Sequence, residues 1–295
     1  MLSNENLIKI QLINGLKRNV INKIIDYIEI KNVRLDDFNS LVKLLKNLGL
    51  KKLNIDIDYI EEEAFNIINL CKRSNIEIVG LYDEKYPNKL KYMEDKPLVL
   101  YIRGNSDLLN HYSNISIVGS KNPSQKCYEI SSILSEKLAE ENCCIVTGLS
   151  EGCEEAAHTG SITANGKTIA VIPSGHNKIQ KTSKMLYNMI LLNGGAVVSE
   201  FPPNTKSDKN SYIERNRIVA ALSEGMIVIE GDKKGVTYHA VKYAKELNKP
   251  IAFTNIIEET LSNIKNSENI YMIDSFTKLE NFKNKSIEKN LDKVH

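Results

Sequence analysis

The chain has 295 residues, 42% of them hydrophobic and 26% charged, with no Trp. That is ample for a buried core. Its 39 basic and 37 acidic residues nearly cancel, which excludes a globally basic coat but not a local basic groove. No apolar run approaches the ~18 residues a membrane-spanning helix needs, and the start, MLSNENLIKI, lacks a signal peptide's apolar stretch.

In chain order, residues 1 to about 75 read as a small helical domain. Leu7, Ile10, Leu12, Ile13 and Leu16 recur at helical spacing, as do Val20, Ile21, Ile24, Ile25 and Ile28. A third stripe runs from Phe38 to Leu48 and stops at Gly49, and a fourth spans Tyr59 to Arg73. This region carries no chemical motif.

From residue 76 the texture changes. Short strands are expected at 76–80 and 97–102, followed by an alternation of apolar runs and helical stretches. Strands fall at 115–118, 144–147, 168–172, 196–199, 226–229 and 250–253, with Ile270–Ile273 as a candidate edge strand. Helices fall at about 124–141, 152–164, 182–193, 214–222 and 235–247. Strand and helix in alternation mean βαβ units: an α/β domain over 76–280 with a mostly parallel, extended Rossmann-like sheet. The polar stretch 281–295 reads as a fraying tail. The five cysteines, Cys71, Cys127, Cys143, Cys144 and Cys153, form no CxxC pair. They read as reduced, buried thiols of a cytoplasmic protein rather than a disulfide framework or a metal site.

The chemistry concentrates in loops that follow strands. Gly119-Ser120-Lys121 combines a glycine turn, a hydroxyl and a cation, a pattern that suits phosphate, although a strand-end glycine also serves as a plain turn. Gly148-Leu149-Ser150-Glu151-Gly152 follows the next strand, with spacing unlike GxGxxG. Glu154 and His158 then share a helix face, as acid-base partners or, more simply, as a helix–sheet contact. Gly175 and Glu200 close two further strands. In Glu214-Arg215-Asn216-Arg217 two arginines sit at an expected helix start, where the dipole disfavours cations. An anionic ligand, Glu200 or Glu214 must compensate them. Glu230-Gly231-Asp232-Lys233-Lys234-Gly235-Val236-Thr237 is the last such loop. Tyr212 and Phe201 border the arginine motif, read as packing ahead of a base-stacking role. Together the loops suit a phosphate-rich ligand, a nucleotide or a single-stranded nucleic acid.

The order of these segments resembles the DprA/Smf family of DNA-processing proteins, within the SLOG/Rossmann-like superfamily. The resemblance rests on YPNKL (86–90), KPLVLYIRGN (96–105), SIVGSKNPS (116–124), IVTGLSEGCEEAAHTGSI (145–162), GKTIAVIPSG (166–175), GGAVVSE (194–200) and RNRIVAALSEGMIVIEGDKKG (215–235). It implies a non-enzymatic, homodimeric protein that binds single-stranded DNA, protects it and helps load the RecA recombinase in natural transformation. It implies no cofactor, metal or catalytic residue. The expected DNA or phosphate contacts are Gly119, Ser120, Lys121, Gly148, Ser150, Gly175, Glu200, Arg215, Asn216, Arg217, Lys233, Lys234, Gly235 and Thr237. Lys121 stands where the family usually has arginine, and Asn177-Lys178-Ile179-Gln180 replaces a usual tyrosine–proline pair. The same superfamily resemblance leaves a second expectation: a sensor of nucleotides or nucleotide sugars, or a phosphoribohydrolase of the Lonely Guy type. Against that stands the absence of a GGGxGTxxE pattern. A third is a diverged relative that only dimerises or binds a protein.

Overall fold

A computed structural model describes all residues except 1, 34–36, 51–52, 112, 232–234, 255–268 and 292–295. The chain divides into two compact units, Met1–Ile102 and Arg103–His295.

In the first unit four helices precede a hairpin: α1 (Asn4–Gln11), α2 (Arg18–Ile30), α3 (Phe38–Asn47) and α4 (Ile57–Arg73). Three of the four are started by a side chain that accepts from a free first-turn amide: Ser3 from Asn6, Asp37 from Ser40 and Asp56 from Tyr59. The stripes legible in the sequence are the buried faces, among them Ile21, Ile24, Ile25 and Ile28 of α2 and Phe38, Leu41, Val42 and Leu45 of α3. Strand β1 (Glu77–Gly80) pairs antiparallel with β2 (Val99–Gly104), Gly80 opposite Val99 and Glu77 opposite Ile102. The one-turn helix α5 (Asn88–Lys91) lies in the connection, where the Tyr86 hydroxyl donates to the Pro97 carbonyl at 2.6 Å.

The second unit opens with a one-turn helix, α6 (Leu108–His111), and then alternates regularly. Its elements are β3 (Asn114–Val118), α7 (Gln125–Glu140), β4 (Cys144–Thr147), α8 (Cys153–Thr163), β5 (Thr168–Ile172), α9 (Lys184–Leu192) and β6 (Ala196–Ser199). There follow α10 (Lys209–Leu222), β7 (Gly225–Val228), α11 (Val236–Glu246), β8 (Ile251–Thr254), β9 (Ile270–Ile273) and α12 (Phe276–Leu291). The strands lie in the order β6-β5-β4-β3-β7-β8-β9, every neighbouring pair parallel. The edge strand expected at Ile270–Ile273 is present. Both faces of such a sheet are covered, so the strands read as unbroken apolar runs rather than alternating ones. Ile115, Ile117, Ile145 and Ile227 face one core with Cys127, Cys153 and Phe282, and Ala170, Ile172 and Val197 face the other with Leu186 and Ile190. All five cysteines are free and buried.

The strand order places the site. From β3 the chain steps outward through β4, β5 and β6. It then returns to the opposite side of β3 to lay down β7 and β8. Loops after β3 and β7 therefore diverge and leave a crevice at the carboxyl ends of those strands, where open α/β sheets bind ligands.

Two expectations change. Helix α10 begins at Lys209, five residues before the expected start, because Asp208 and Ser211 form a reciprocal capping box. And residues 281–291 continue α12 instead of fraying. Leu279, Phe282 and Ser286, at i, i+3 and i+7, are buried, and Phe282 meets Tyr271 edge-on with ring centroids 5.6 Å apart.

Candidate nucleic-acid interface

A cleft of about 770 Å³ opens at the switch point. The end of β3 supplies Gly119, Ser120, Lys121 and Asn122, the β4–α8 loop Ser150, and α8 Glu154. The end of β7 supplies Glu230 and Gly231, and the start of α11 Gly235, Val236 and Thr237. Lys209 and Tyr212 of α10 and Gln180 complete the wall.

The Arg215-Asn216-Arg217 motif lies under this cleft rather than on it. Arg215 and Arg217 are 2% and 1% exposed. In the second and third turns of α10 they escape the helix-start penalty, and each has its own buried counter-charge. Arg215 Nη2 donates to both carboxylate oxygens of Glu154, at 3.0 and 2.9 Å, while Nη1 donates to the Val171 carbonyl at 3.0 Å. Arg217 Nη2 donates to both oxygens of Glu200 at 2.6 Å. Asn216, between them, donates from Nδ2 to the Val236 carbonyl at 2.8 Å. Three consecutive residues thus tie α10 to three separate loops: the start of α8, the end of β6 and the start of α11.

The Glu154 carboxylate has a second task. It accepts from the Ser150 backbone N–H at 2.9 Å. It therefore satisfies, with a protein anion, an amide of the β4–α8 turn beside the N-terminus of α8. Gly152, at φ +86°, caps α8 in the left-handed region, and a Cβ there would come within 2.4 Å of the Lys121 carbonyl oxygen. This close approach lets the Ser120 carbonyl accept from the Cys153 N–H at 3.1 Å, locking the β3–α7 and β4–α8 loops together.

His158 is fully buried in a helix–sheet contact. Nε2 lies 2.7 Å from the Gly148 carbonyl and Nδ1 2.6 Å from the Thr168 hydroxyl. A carbonyl only accepts, so Nε2 carries the proton, and the single Thr168 hydroxyl proton is shared between the unprotonated Nδ1 and the Ile145 carbonyl 2.9 Å away. Burial holds the imidazole well below its ordinary range, to about 4, with the Gly148 bond pulling the other way. It does not touch Glu154 as an acid-base partner; its ring nitrogens are committed to Gly148 and Thr168.

Of the other sequence-derived site residues, Gly119, Ser120, Lys121, Ser150, Gly235 and Thr237 line the cleft. The Thr237 hydroxyl donates to the Gly119 carbonyl at 3.0 Å, and the Ser120 hydroxyl accepts from the Asn122 N–H at 3.1 Å. Gly148 lies beneath Arg215, and Gly175 is engaged elsewhere, its N–H donating to the Thr205 carbonyl. Lys233 and Lys234 lie outside the described residues. Lys121 is exposed and forms a 3.3 Å ion pair with part-exposed Glu151, whose carboxyl is held below its usual range by Thr182 and then Lys121. Such a pair contributes little and releases its cation readily. Sequence reasoning passed over Lys209, Gln180 and Asn122. Lys209 was findable, since Asp208 three residues before Ser211 marks a helix start and puts Lys209 in the first turn.

A doubly wound α/β unit with an open cleft at its switch point, walled by glycine loops and lysines, defines a protein of Rossmann-like fold. The family model for DNA recombination-mediator protein A matches residues 77–275, and the chain belongs to that family, the DprA/Smf proteins. It is 30% identical to the DNA processing protein DprA of Bacillus subtilis over 199 residues, covering 66% of this chain and 67% of that one. It is 33% identical to the Streptococcus pneumoniae DprA over 173 residues, covering 58% and 60%. The alignment with the Escherichia coli protein Smf spans 50% of that relative. The X-ray structure of the S. pneumoniae DprA superposes with a TM-score of 0.75 at 26% identity, covering 94% of this chain and 97% of that one. A Helicobacter pylori DprA, whose structure is described for its single-stranded DNA binding mode, shares the fold at TM-score 0.63 and 22% identity, covering 73% and 98%.

Proposed function

We propose that this chain binds single-stranded DNA across the switch-point cleft and serves as a recombination mediator, passing the strand to a RecA-type recombinase. It acts as a homodimer in the cytoplasm, without chemical turnover of the strand. The observation that carries the reading is the split between buried and exposed cations. Arg215 and Arg217 are neutralised internally, whereas Lys121 and Lys209 stand exposed at the cleft. Next to them the N-terminus of α11 has no side-chain cap among the described residues, and Gly235, Val236 and Thr237 present it to the cleft. Uncapped amides and lysines at one rim suit a phosphate backbone.

The basic rim continues. Asn177 N–H donates to the Pro203 carbonyl and Gln180 Nε2 to the Tyr212 hydroxyl, at 2.9 and 2.6 Å. These bonds hold the loop carrying exposed Lys178 and Lys181 against the segment carrying exposed Lys206 and Lys209. The H. pylori relative's single-stranded DNA binding supports the same reading. Five free cysteines fit a reducing compartment.

The test is fluorescence anisotropy with labelled oligo-dT titrated at several salt concentrations, beside a duplex control. Binding that favours the single strand and weakens steeply with salt supports the proposal; no binding even at low salt overturns it. Sedimentation velocity tests the dimer, and nucleation of a RecA-type filament tests the handover.

A further inference from the structure

One carboxylate at the mouth of the cleft serves neither the fold nor a phosphate. Glu154 is buried, held by Arg215 and the Ser150 N–H, and its place in the fold is plain. Glu151, in the turn between β4 and α8, is different. Its Oε2 lies 3.3 Å from Lys121 Nζ, and the two side chains are 42% and 56% exposed. The Thr182 hydroxyl donates to the same carboxylate from the segment ahead of α9. One anion therefore joins the loops that follow β3, β4 and β5.

The backbone beneath keeps this contact in place. The Ser120 carbonyl accepts from the Cys153 N–H at 3.1 Å, and Gly152 packs so tightly that a Cβ there would come within 2.4 Å of the Lys121 carbonyl oxygen. The chain segments carrying Lys121 and Glu151 are thus fixed against each other, and the carboxylate stays within reach of the ammonium. An exposed pair of this kind adds little to stability. Its effect falls on binding, because Lys121 lines the cleft. Lys209, the other exposed lysine there, forms no ion pair among the described residues. A phosphate that engages Lys121 must take it from Glu151 and then sit beside a carboxylate of its own sign.

We propose that Glu151 is an autoinhibitory contact: a built-in anion that holds Lys121 in the empty cleft and is displaced by a phosphate of the incoming strand. This rests on the single-stranded DNA reading above and adds regulation of the same site. When the strand leaves, Glu151 takes Lys121 back. The contact therefore weakens capture and speeds release, which suits a protein that passes its strand on.

The test uses labelled oligo-dT and the full chain, with anisotropy for affinity and stopped flow for dissociation. Glu151→Gln removes the charge and keeps the size and an acceptor for Thr182, so its Tm should stay within about 1 °C of wild type. It should bind oligo-dT about two- to fivefold more tightly at low salt, the range that losing one exposed pair spans. Most of that gain should appear as slower dissociation, and it should shrink as salt screens the charges. In a Lys121→Gln background Glu151→Gln should change nothing, whereas beside Lys209→Gln it should keep its full gain. An equal gain with and without Lys121 overturns the proposal, since Glu151 would then act only as a negative charge in the general field. Weaker or unaltered binding of Glu151→Gln overturns it too, and leaves the phosphate reading standing. If neither the wild-type chain nor Glu151→Gln binds oligo-dT at low salt, both readings fall.

Discussion

Gly148 lies directly beneath the guanidinium of Arg215: a Cβ at Gly148 would fall 1.1 Å from Nη1 and 1.9 Å from Cζ. The glycine after β4 is there to admit an arginine from α10, not a phosphate. Gly148→Ala must therefore displace Arg215 from Glu154 and Val171. Removing one partner of a buried pair typically costs about 3–5 kcal/mol, because the other charge stays buried. Gly148→Ala should lower the urea midpoint by an amount in that range, and far more than an alanine at the exposed Gly49, whose added Cβ meets nothing within 4 Å, although its own positive φ adds strain. Equal losses at the two glycines would refute the close-packing account.

The Arg217–Glu200 pair should show strong coupling. Glu200→Gln keeps the shape and removes the charge, and Arg217→Met removes the cation and keeps most of the stem. Each alone should destabilise by about 3 kcal/mol or more, as buried charges left without their partner do. The double variant Glu200→Gln/Arg217→Met should recover a large part of the loss in a denaturant-based double-mutant cycle. Additive losses would show that the two residues act separately.

The helices and parallel strands were legible because apolar period and turn chemistry agree. β-branched runs such as Ile115–Val118 end at a glycine, and the stripes of α2 and α3 stop at polar joints. Boundaries slipped where a cap was overlooked, as at Asp208. The site was legible only as a set of loops. That Arg215 meets Glu154, 61 residues earlier in the chain, follows from the strand order around β3, which no local pattern encodes. The sequence did indicate that the arginines needed a carboxylate, and Glu200 was among those weighed. The assignment of Arg215, Asn216 and Arg217 as direct contacts came from the family resemblance, and their burial recasts them, in the reading proposed above, as residues that hold the contact loops. His158 was open between two roles, and its fixed tautomer between Gly148 and Thr168 decides for the packing one.

His158 also makes stability depend on pH. In the fold it stays neutral down to about 4, whereas in the unfolded chain it takes a proton near its ordinary value of about 6.5. Below 6.5 the unfolded state binds the extra proton, so stability falls as pH drops from about 6.5 to about 4 and this contribution then levels off. A separation of some 2.5 pH units amounts to about 3 kcal/mol. His158→Gln, which keeps a donor for Gly148, should start less stable at neutral pH but show a flatter decline of Tm over that interval. An unchanged slope would mean that other groups govern acid sensitivity.

Charge changes at the cleft should separate surface contacts from buried staples. Reversing Arg215 or Arg217 would place like charges against Glu154 or Glu200 inside the protein, and the resulting loss of binding would report unfolding. Lys121→Glu and Lys209→Glu remove only exposed cations, so the Tm should stay within about 1 °C of wild type, as surface substitutions usually allow. Each lost phosphate contact should reduce the slope of log K against log salt for oligo-dT by about 0.7, the single-strand value. At low salt each variant should bind oligo-dT roughly tenfold more weakly, since reversal replaces an attraction by a repulsion. Lys121→Gln should fall between wild type and Lys121→Glu. If the lysine variants bind with unaltered affinity and slope while staying folded, the strand does not cross this rim, and the phosphate path has to be sought elsewhere on the surface.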